Sequence, residues 1–163
     1  PVIIGQGTAA LELLKSHPDL DIIIAPVGGG GLLGGTALAV HYFGENCKTF
    51  AGEPDEANDA FRSLKSGKIE SNKTTNTIAD GLRTQLGENN FPIIKKYVSA
   101  IICVSEAEII AAMKLIWERL KIVIEPSSAV AFAAVLKDKE RFKNKKVGII
   151  LSGGNVDLSN LPF

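Results

Sequence analysis

The sequence is poor in several residue types that mark particular classes of protein. It has two cysteines, two histidines, one tryptophan and one methionine in 163 residues, and its formal net charge is zero. Because basic residues are not in excess, nucleic acid is not an expected partner. Cys47 and Cys103 have neither metal-ligand spacing nor a disulfide-rich context. We therefore expect reduced, buried structural thiols and a cytoplasmic protein.

Long apolar runs are also absent. Glycine, proline and charged residues interrupt every apolar stretch, so no membrane span is predicted, and no secretory leader is visible. The opening residues "PVIIGQGT" (1–8) are typical of the inside of a strand and the helix after it, and Met113 is the sole methionine. We expect residues 1–163 to form a single domain that an N-terminal part precedes in the complete protein.

Strand-like and helix-like segments alternate in the first half of the chain. Residues 21–27 ("DIIIAPV") and 48–53 ("KTFAGE") are typical of strands, and residues 32–43 between them are typical of a helix. This order predicts a βαβ unit, in which the two strands are parallel.

The second half of the chain continues the alternation. A strand in "AIICV" precedes a helix whose Ser105 and Glu108 have capping-box spacing. An alanine-rich helix follows Pro126, with Ser127 or Ser128 as its expected N-cap, and "VGIIL" is the last strand. The whole pattern predicts an α/β fold: a mostly parallel, twisted sheet with helices on both faces, in three layers. Both glycine-rich loops then fall at the carboxyl ends of strands, where such sheets bind ligands.

The first of these loops is a glycine quartet, Gly28–Gly31, between a strand and a helix. Backbone N–H groups that converge ahead of a helix N-terminus favour an anion, and a phosphate is the expected ligand. No lysine or serine follows at Walker spacing, which disfavours a nucleoside triphosphate.

Two other interpretations of the quartet remain open on the residues alone. Gly29, Gly31 and Gly34 satisfy a dinucleotide fingerprint, and Glu53 lies where a ribose-binding acid is expected, so a nicotinamide- or flavin-dependent enzyme is one alternative. The other alternative is purely structural, with glycines that only allow close packing of a helix on the sheet.

Two further groups of polar residues are candidates for metal binding or for contact with a ligand. The segment "EPDEAND" gives carboxylates at Glu53 and Asp59 that suit a hard cation, although the residues alone favour an acidic, solvated turn and N-cap. Ser152 follows the last strand, where its hydroxyl would cap a helix, act as a nucleophile or bond a ring nitrogen. A nucleophile is disfavoured because neither His17 nor His41 lies in a context typical of a base.

Taken together, the motifs resemble serine racemase and the serine/threonine dehydratases, which are fold-type II enzymes that use pyridoxal 5′-phosphate (PLP). The resemblance covers essentially the whole chain and makes the nicotinamide alternative weak. The motifs, in order, are "GQGT" (5–8), "VGGGGLLGG" (27–35), "EP" (53–54) with Ala57 and Asp59 downstream, "TIADG" (77–81), "WERLKIVIEPSSA" (117–129) and "LSGGNVDL" (151–158).

The resemblance implies a set of site residues. The cofactor-binding residues would be Gly28, Gly29, Gly30, Gly31 and Leu32 around the phosphate, Gly81 beside the ring, Ser152 at the pyridine nitrogen, and Glu125 and Gly153 nearby. The divalent cation (magnesium, calcium or manganese) would be bound by Glu53, the carbonyl of Ala57, and Asp59. A nucleotide effector, ATP, would lie near Lys121 and Asn155.

The resemblance also implies which parts are missing and what the complete protein does. No lysine here lies in the family's Ser-x-Lys-x-Arg-Gly context, so the Schiff-base lysine is expected upstream, and this chain alone is expected to be inactive. A serine at the pyridine nitrogen, unlike a carboxylate, need not keep it protonated, which suits Cα proton removal more than transamination. The implied substrate is a small hydroxy amino acid, and the implied assembly is a homodimer. A catalytically inactive regulatory homologue is the other alternative.

Overall fold

A computed structural model describes residues 2–163, in which strands and helices alternate. The strands are β1 (Ile22–Pro26), β2 (Lys48–Pro54), β3 (Val98–Val104) and β4 (Val147–Ile149). The helices are α1 (Val2–Gln6), α2 (Thr8–Ser16), α3 (Gly31–Phe43), α4 (Asp59–Ser66), α5 (Phe91–Tyr97), α6 (Glu106–Leu120), α7 (Pro126–Lys137) and α8 (Lys139–Phe142). Short 3-10 turns occupy Asp55–Ala57 and Asp80–Leu82. The predicted α/β class is confirmed.

The four strands form one parallel sheet in the order β3-β2-β1-β4. Ile22 of β1 pairs with Lys48 on one side and with Val147 on the other. The chain therefore leaves β1 toward β2 and later returns to the opposite side of β1. This reversal is a topological switch point, and it places the loops after β1 and β4 side by side, where open α/β sheets bind ligands.

Apolar clusters cover both faces of the sheet. Alternate residues of β1 point to opposite faces, as in any strand. Ile23 belongs to the cluster that includes α2, α3 and α5, whereas Ile24 belongs to the cluster that includes α6 and α7. The predicted arrangement of three layers is thus confirmed, with Ile23 and Ile24 both fully buried.

The starts of two helices test the capping predictions. At α6 the capping box is confirmed, because Ser105 Oγ accepts from the Glu108 N–H while Glu108 accepts from the Ser105 N–H. At α7 the prediction was wrong, because the N-cap is Glu125 and neither Ser127 nor Ser128 caps the helix. Proline suits the first helical position, so the helix begins at Pro126 and both serines fall inside it.

The expectation of a strand at the start of the chain was also wrong. Val2–Gln6 is helical, and Pro1 lies outside the described residues. Its β-branched residues adopt a helix because the segment packs backbone to backbone on α3. A Cβ built on Gly7 would lie 2.7 Å from the Gly35 carbonyl oxygen, so the two chains approach as closely as glycine allows. Such tertiary contacts override a local preference for strand.

Two smaller sequence predictions concern the cysteines and the bilayer. Cys47 and Cys103 are free and only partly buried. Burial raises the pKa of both thiols, that of Cys103 to about 12, which keeps it protonated at neutral pH. Within residues 2–163, no helix is long and apolar enough to cross a membrane.

The packing of α7 on β2 gives a prediction for stability. A Cβ on Gly52 would lie 2.6 Å from the carbonyl oxygen of Val130 in α7, so Gly52→Ala must push the helix away from the sheet. We expect it to lower the free energy of unfolding by about 1–3 kcal/mol in urea denaturation. Gly5→Ala is the control, since no described atom other than its neighbours along the chain lies within 4 Å of its Cβ position. Equal stabilities of the two variants would contradict the packing argument.

Candidate functional site

The glycine quartet forms the entrance to α3. Gly30 is the N-cap, and its φ of 87° lies in the left-handed region that favours glycine. A Cβ at Gly30 would also lie 2.7 Å from Leu86 Cδ1 and 2.9 Å from Ile94 Cδ1. Both backbone conformation and space therefore require glycine here.

The backbone N–H groups of residues 28–33 have no acceptor among the described residues. They precede or open the first turn of α3, where the helix dipole adds partial positive charge. An unpaired group of donors at a helix N-terminus is suited to binding an anion such as phosphate. The purely structural interpretation of the quartet does not explain these unpaired donors.

Ser152 lies in the same cleft as the quartet because β1 and β4 are neighbours. The side chain of Ser152 is exposed, and its Oγ lies 3.2 Å from Ser128 Oγ. Ser128 Oγ donates to the Gly153 carbonyl at 2.6 Å and accepts from the Gly153 N–H at 2.7 Å. Since the single proton of Ser128 points to Gly153, Ser152 is the donor of the serine pair and keeps its own lone pairs free.

Gly81 reaches the cleft through a hydrogen bond to a serine that the sequence did not single out for it. The Gly81 N–H donates to Ser127 Oγ at 3.0 Å, and a Cβ on Gly81 would lie at the same distance from that oxygen. Ser127 and Ser128 thus hold the loops at Gly81 and Gly153. The signal for them was present in the sequence: two serines directly follow the proline that starts a helix at the ligand edge of the sheet.

Glu125 completes the wall of the cleft and is tied to the last glycine loop. The Glu125 N–H donates to the Gly153 carbonyl at 3.1 Å, and Glu125 Oε2 accepts from the Asn155 N–H at 3.1 Å. Lys121 is exposed at the C-cap of α6. No hydrogen bond joins Lys121 to Asn155 within the described residues: the Asn155 N–H bonds Glu125, whereas Lys121 lies at a helix end.

The predicted cation residues include two buried carboxyl groups. Glu53 and Asp59 are each 0% exposed, whereas Asp55 and Glu56 are exposed, so the solvated-turn interpretation describes only the latter two. Glu53 accepts from the N–H groups of Ala60 at 2.9 Å and Phe61 at 2.7 Å. Glu53 is buried, and each of its oxygens accepts one N–H at the start of α4, so it is not open to a group as large as a ribose, which removes the main support for the nicotinamide alternative. Each oxygen keeps a second lone pair that could still bind a small ion.

Burial makes both carboxyl groups hard to ionise. It raises the pKa of Glu53 to about 8, and it also raises the pKa of Asp59. Asp59 Oδ2 accepts from the Leu86 N–H at 2.6 Å, while Asp59 Oδ1 is buried and has no partner in the described part of the chain.

This arrangement fits a divalent cation. A buried oxygen without a partner is unfavourable, and a cation would satisfy it and favour the ionised form of both acids. The Ala57 carbonyl accepts no hydrogen bond from the described residues, so it is free to act as a ligand. Residues 2–163 contain no group of three or more His, Cys, Asp or Glu side chains placed to hold a metal, so backbone carbonyls and water would have to complete the shell.

Comparison with known proteins agrees with the geometry of the cleft. The sequence model of the family described as "Pyridoxal-phosphate dependent enzyme" matches residues 1–153. The chain is 56% identical to serine racemase of Dictyostelium discoideum over 98% of its length, and 48% identical to the β-hydroxyaspartate dehydratase of Paracoccus denitrificans over 99% of its length. It spans 51% of each of these relatives, so it corresponds to about half of them.

Solved structures give the same result for the fold. The crystal structure of the Dictyostelium discoideum serine racemase matches with a TM-score of 0.90 and 56% identity, covering 96% of this chain and 51% of that one. The processed form of threonine deaminase isoform 2 from Solanum lycopersicum matches with a TM-score of 0.90 and 32% identity, covering 96% of this chain and 44% of that one. The resemblance to fold-type II enzymes is therefore confirmed, and the chain belongs to the family of pyridoxal-phosphate-dependent enzymes.

Proposed function

We propose that this chain is the cofactor-binding part of a PLP-dependent serine racemase or L-serine (L-threonine) ammonia-lyase. The observation that carries the proposal is the set of unpaired N–H groups of residues 28–33, which share one cleft with Ser152 and Gly81. The cleft fits PLP on its chemistry: donors for a phosphate, a hydroxyl for a ring nitrogen, and a residue without a side chain where a flat ring needs space.

The quartet and Leu32 would bind the phosphate through neutral backbone donors and the dipole of α3. A phosphate held at one fixed point of the sheet edge orients the rest of the cofactor, which is how binding energy away from the reacting atoms contributes to catalysis. The family's cofactor supplies an electron sink for the negative charge that develops at the substrate Cα.

Ser152 would donate a hydrogen bond to the unprotonated pyridine nitrogen. The Ser152 hydroxyl bonds Ser128 Oγ at 3.2 Å, whereas Ser128 Oγ bonds Gly153 at 2.6 and 2.7 Å. Because the bond between the two serines is the longest of the three, the Ser152 hydroxyl can reorient toward a ligand. A neutral hydroxyl leaves the nitrogen unprotonated, so Ser152 limits how far charge spreads from the Cα. This environment favours racemisation and loss of a β-hydroxyl over transamination.

The reacting lysine would come from the part of the protein outside this chain. Within the described residues, the lining of the cleft contains no lysine, and its one acidic side chain is Glu125. The substrate would be a small hydroxy amino acid: serine, threonine or 3-hydroxyaspartate. We further propose a cytoplasmic homodimer and an ATP effector near Lys121 and Asn155.

We propose in addition that Glu53, the Ala57 carbonyl and Asp59 bind a divalent cation. The buried, unpartnered Asp59 Oδ1 and the raised pKa of both acids support this site. Asp59 also accepts from the Leu86 N–H, and the Leu86 side chain packs against Gly30. Leu86 therefore links the cation site to the quartet.

The first test is labelling of the natural protein. Borohydride reduction in the presence of PLP, followed by peptide mass mapping, is expected to give a single pyridoxyl label on a lysine outside these 163 residues. Incubation with L-serine is expected to give D-serine, or pyruvate and ammonia. No label, or label scattered over exposed lysines such as Lys143 and Lys145, together with no product, would instead identify an inactive homologue.

A second test concerns Ser152. In the natural protein, Ser152→Ala removes one hydrogen bond to the ring, which is worth about 0.5–1.5 kcal/mol. We expect up to about a tenfold rise in the PLP dissociation constant, measured by equilibrium dialysis, and a larger fall in kcat. Ser159→Ala, in the exposed segment after the glycine loop, is the control and should change neither value. A normal kcat in the Ser152 variant would remove this residue from the mechanism.

The cation proposal is tested with magnesium or calcium. Thermal unfolding of the natural protein after chelation should shift to higher temperature when the cation is returned, by an amount equivalent to about 2.7 kcal/mol at one hundred times the dissociation constant. Asp59→Asn should abolish this response, while Asp55→Asn, a change at an exposed carboxylate of the same segment, should preserve it. A cation response that survives in Asp59→Asn would place the cation elsewhere.

A further inference from the structure

The carbonyl of Gly29 is held by a turn that lies far along the chain. It accepts one hydrogen bond from the Gly87 N–H at 3.0 Å and another from Asn90 Nδ2 at 2.6 Å. The turn is itself closed by the Asn90 N–H, which donates to the Gly87 carbonyl at 3.0 Å. One carbonyl of the quartet therefore has two donors, although none of the neighbouring N–H groups has an acceptor among the described residues.

The Asn90 side chain makes this bond instead of capping its own helix. It is the N-cap of α5, where an asparagine side chain ordinarily accepts from an N–H of the first turn. Here the side chain makes no capping hydrogen bond, and its amide donates to Gly29 instead. The residue thus stabilises the quartet rather than its own helix.

The contact is also tight enough to fix the quartet in space. A Cβ on Gly87 would lie 2.9 Å from Asn90 Nδ2, so the residue at 87 must be glycine for the side chain to reach Gly29. A Cβ on Gly30 would lie 3.0 Å from Asn90 Cβ. Asn90 therefore packs on one residue of the quartet while it bonds the carbonyl of the residue before it.

A fixed carbonyl fixes the N–H on the other side of the same peptide. Because a trans peptide is planar, the Gly29 C=O and the Gly30 N–H point in opposite directions. The turn holds the carbonyl, so the Gly30 N–H is aimed away from the turn. Without this restraint, consecutive glycines have many accessible backbone conformations, and the donors would not be preorganised.

We infer that Asn90 is a positioning residue for the cofactor phosphate: it locks the Gly29–Gly30 peptide and thereby aims the Gly30 N–H at the phosphate. This inference rests on the proposed function. It assigns to Asn90 a role in phosphate affinity, with no contact to the substrate or to the reacting atoms.

The test compares two ligands that differ only in the phosphate. Dissociation constants of PLP and of pyridoxal are measured for the natural protein and for Asn90→Ala. Loss of the 2.6 Å bond is expected to weaken PLP about tenfold and to leave pyridoxal unchanged. The phosphorus NMR signal of bound PLP is expected to shift, because one donor no longer points at the phosphate.

Two variants serve as controls. Asn89→Ala alters an exposed asparagine of the same turn with no hydrogen bond to the quartet in the described residues, and it should behave like the natural protein. Asn90→Leu keeps the branched skeleton and removes the donor without adding a charge near the phosphate, so it should weaken PLP at least as much as Asn90→Ala. This second variant also separates the role of the bond from the effect of a cavity.

The possible results separate the role of Asn90 from the proposed function. An unaltered PLP affinity in Asn90→Leu, or an equal loss for PLP and pyridoxal, would overturn the role of Asn90 while leaving the proposed function intact. Failure of the natural protein to bind PLP more tightly than pyridoxal would overturn both.

Discussion

Parallel pairing of β1 with β4 is the contact on which the rest of the site depends. Ile22, Ile23 and Ile24 of β1 pair with residues 147–149 of β4, although the two strands are more than one hundred residues apart in sequence. Only this pairing brings the loop after residue 26 beside the loop after residue 151. The intervening helices α6 and α7 cover one face of the sheet while α3 covers the other, so the two loops open into a common cleft at the switch point.

The cleft and the buried acids are joined by one short segment. The Leu86 N–H donates to Asp59, and the Leu86 side chain lies against Gly30, whose conformation defines the start of α3. Four residues later, Asn90 bonds the Gly29 carbonyl. Residues 86–90 therefore connect the buried carboxyl groups to the glycine quartet. The geometry of the quartet therefore depends on this neighbouring segment as well as on the glycines themselves.

Local patterns in the sequence were sufficient for most of the elements and insufficient for the contacts between them. The capping box at Ser105 and the strand at residues 22–26 are encoded within a few residues, so they could be predicted. The helix at Val2–Gln6 could not, because it depends on backbone packing against Gly35. The hydrogen bond between Gly81 and Ser127 joins residues 46 apart in sequence, and the bond between Asn90 and Gly29 joins residues 61 apart. The periodicity of a sequence gives no information about contacts at such separations. The site residues implied by the resemblance remain predictions, although the structure gathers most of them in one cleft.

Backbone donors have a chemical advantage over charged side chains at this site. A lysine or arginine at the phosphate would place a fixed positive charge in the cleft. Through like-charge repulsion, that charge would lower the pKa of any amine that enters the same cleft. Neutral N–H groups would bind a phosphate without adding a full charge, and Glu125 is the one acidic side chain among the described lining residues. In the proposed function, the quartet would thus separate two tasks: it would anchor an anion and leave the protonation of a reacting amine to be set by other groups.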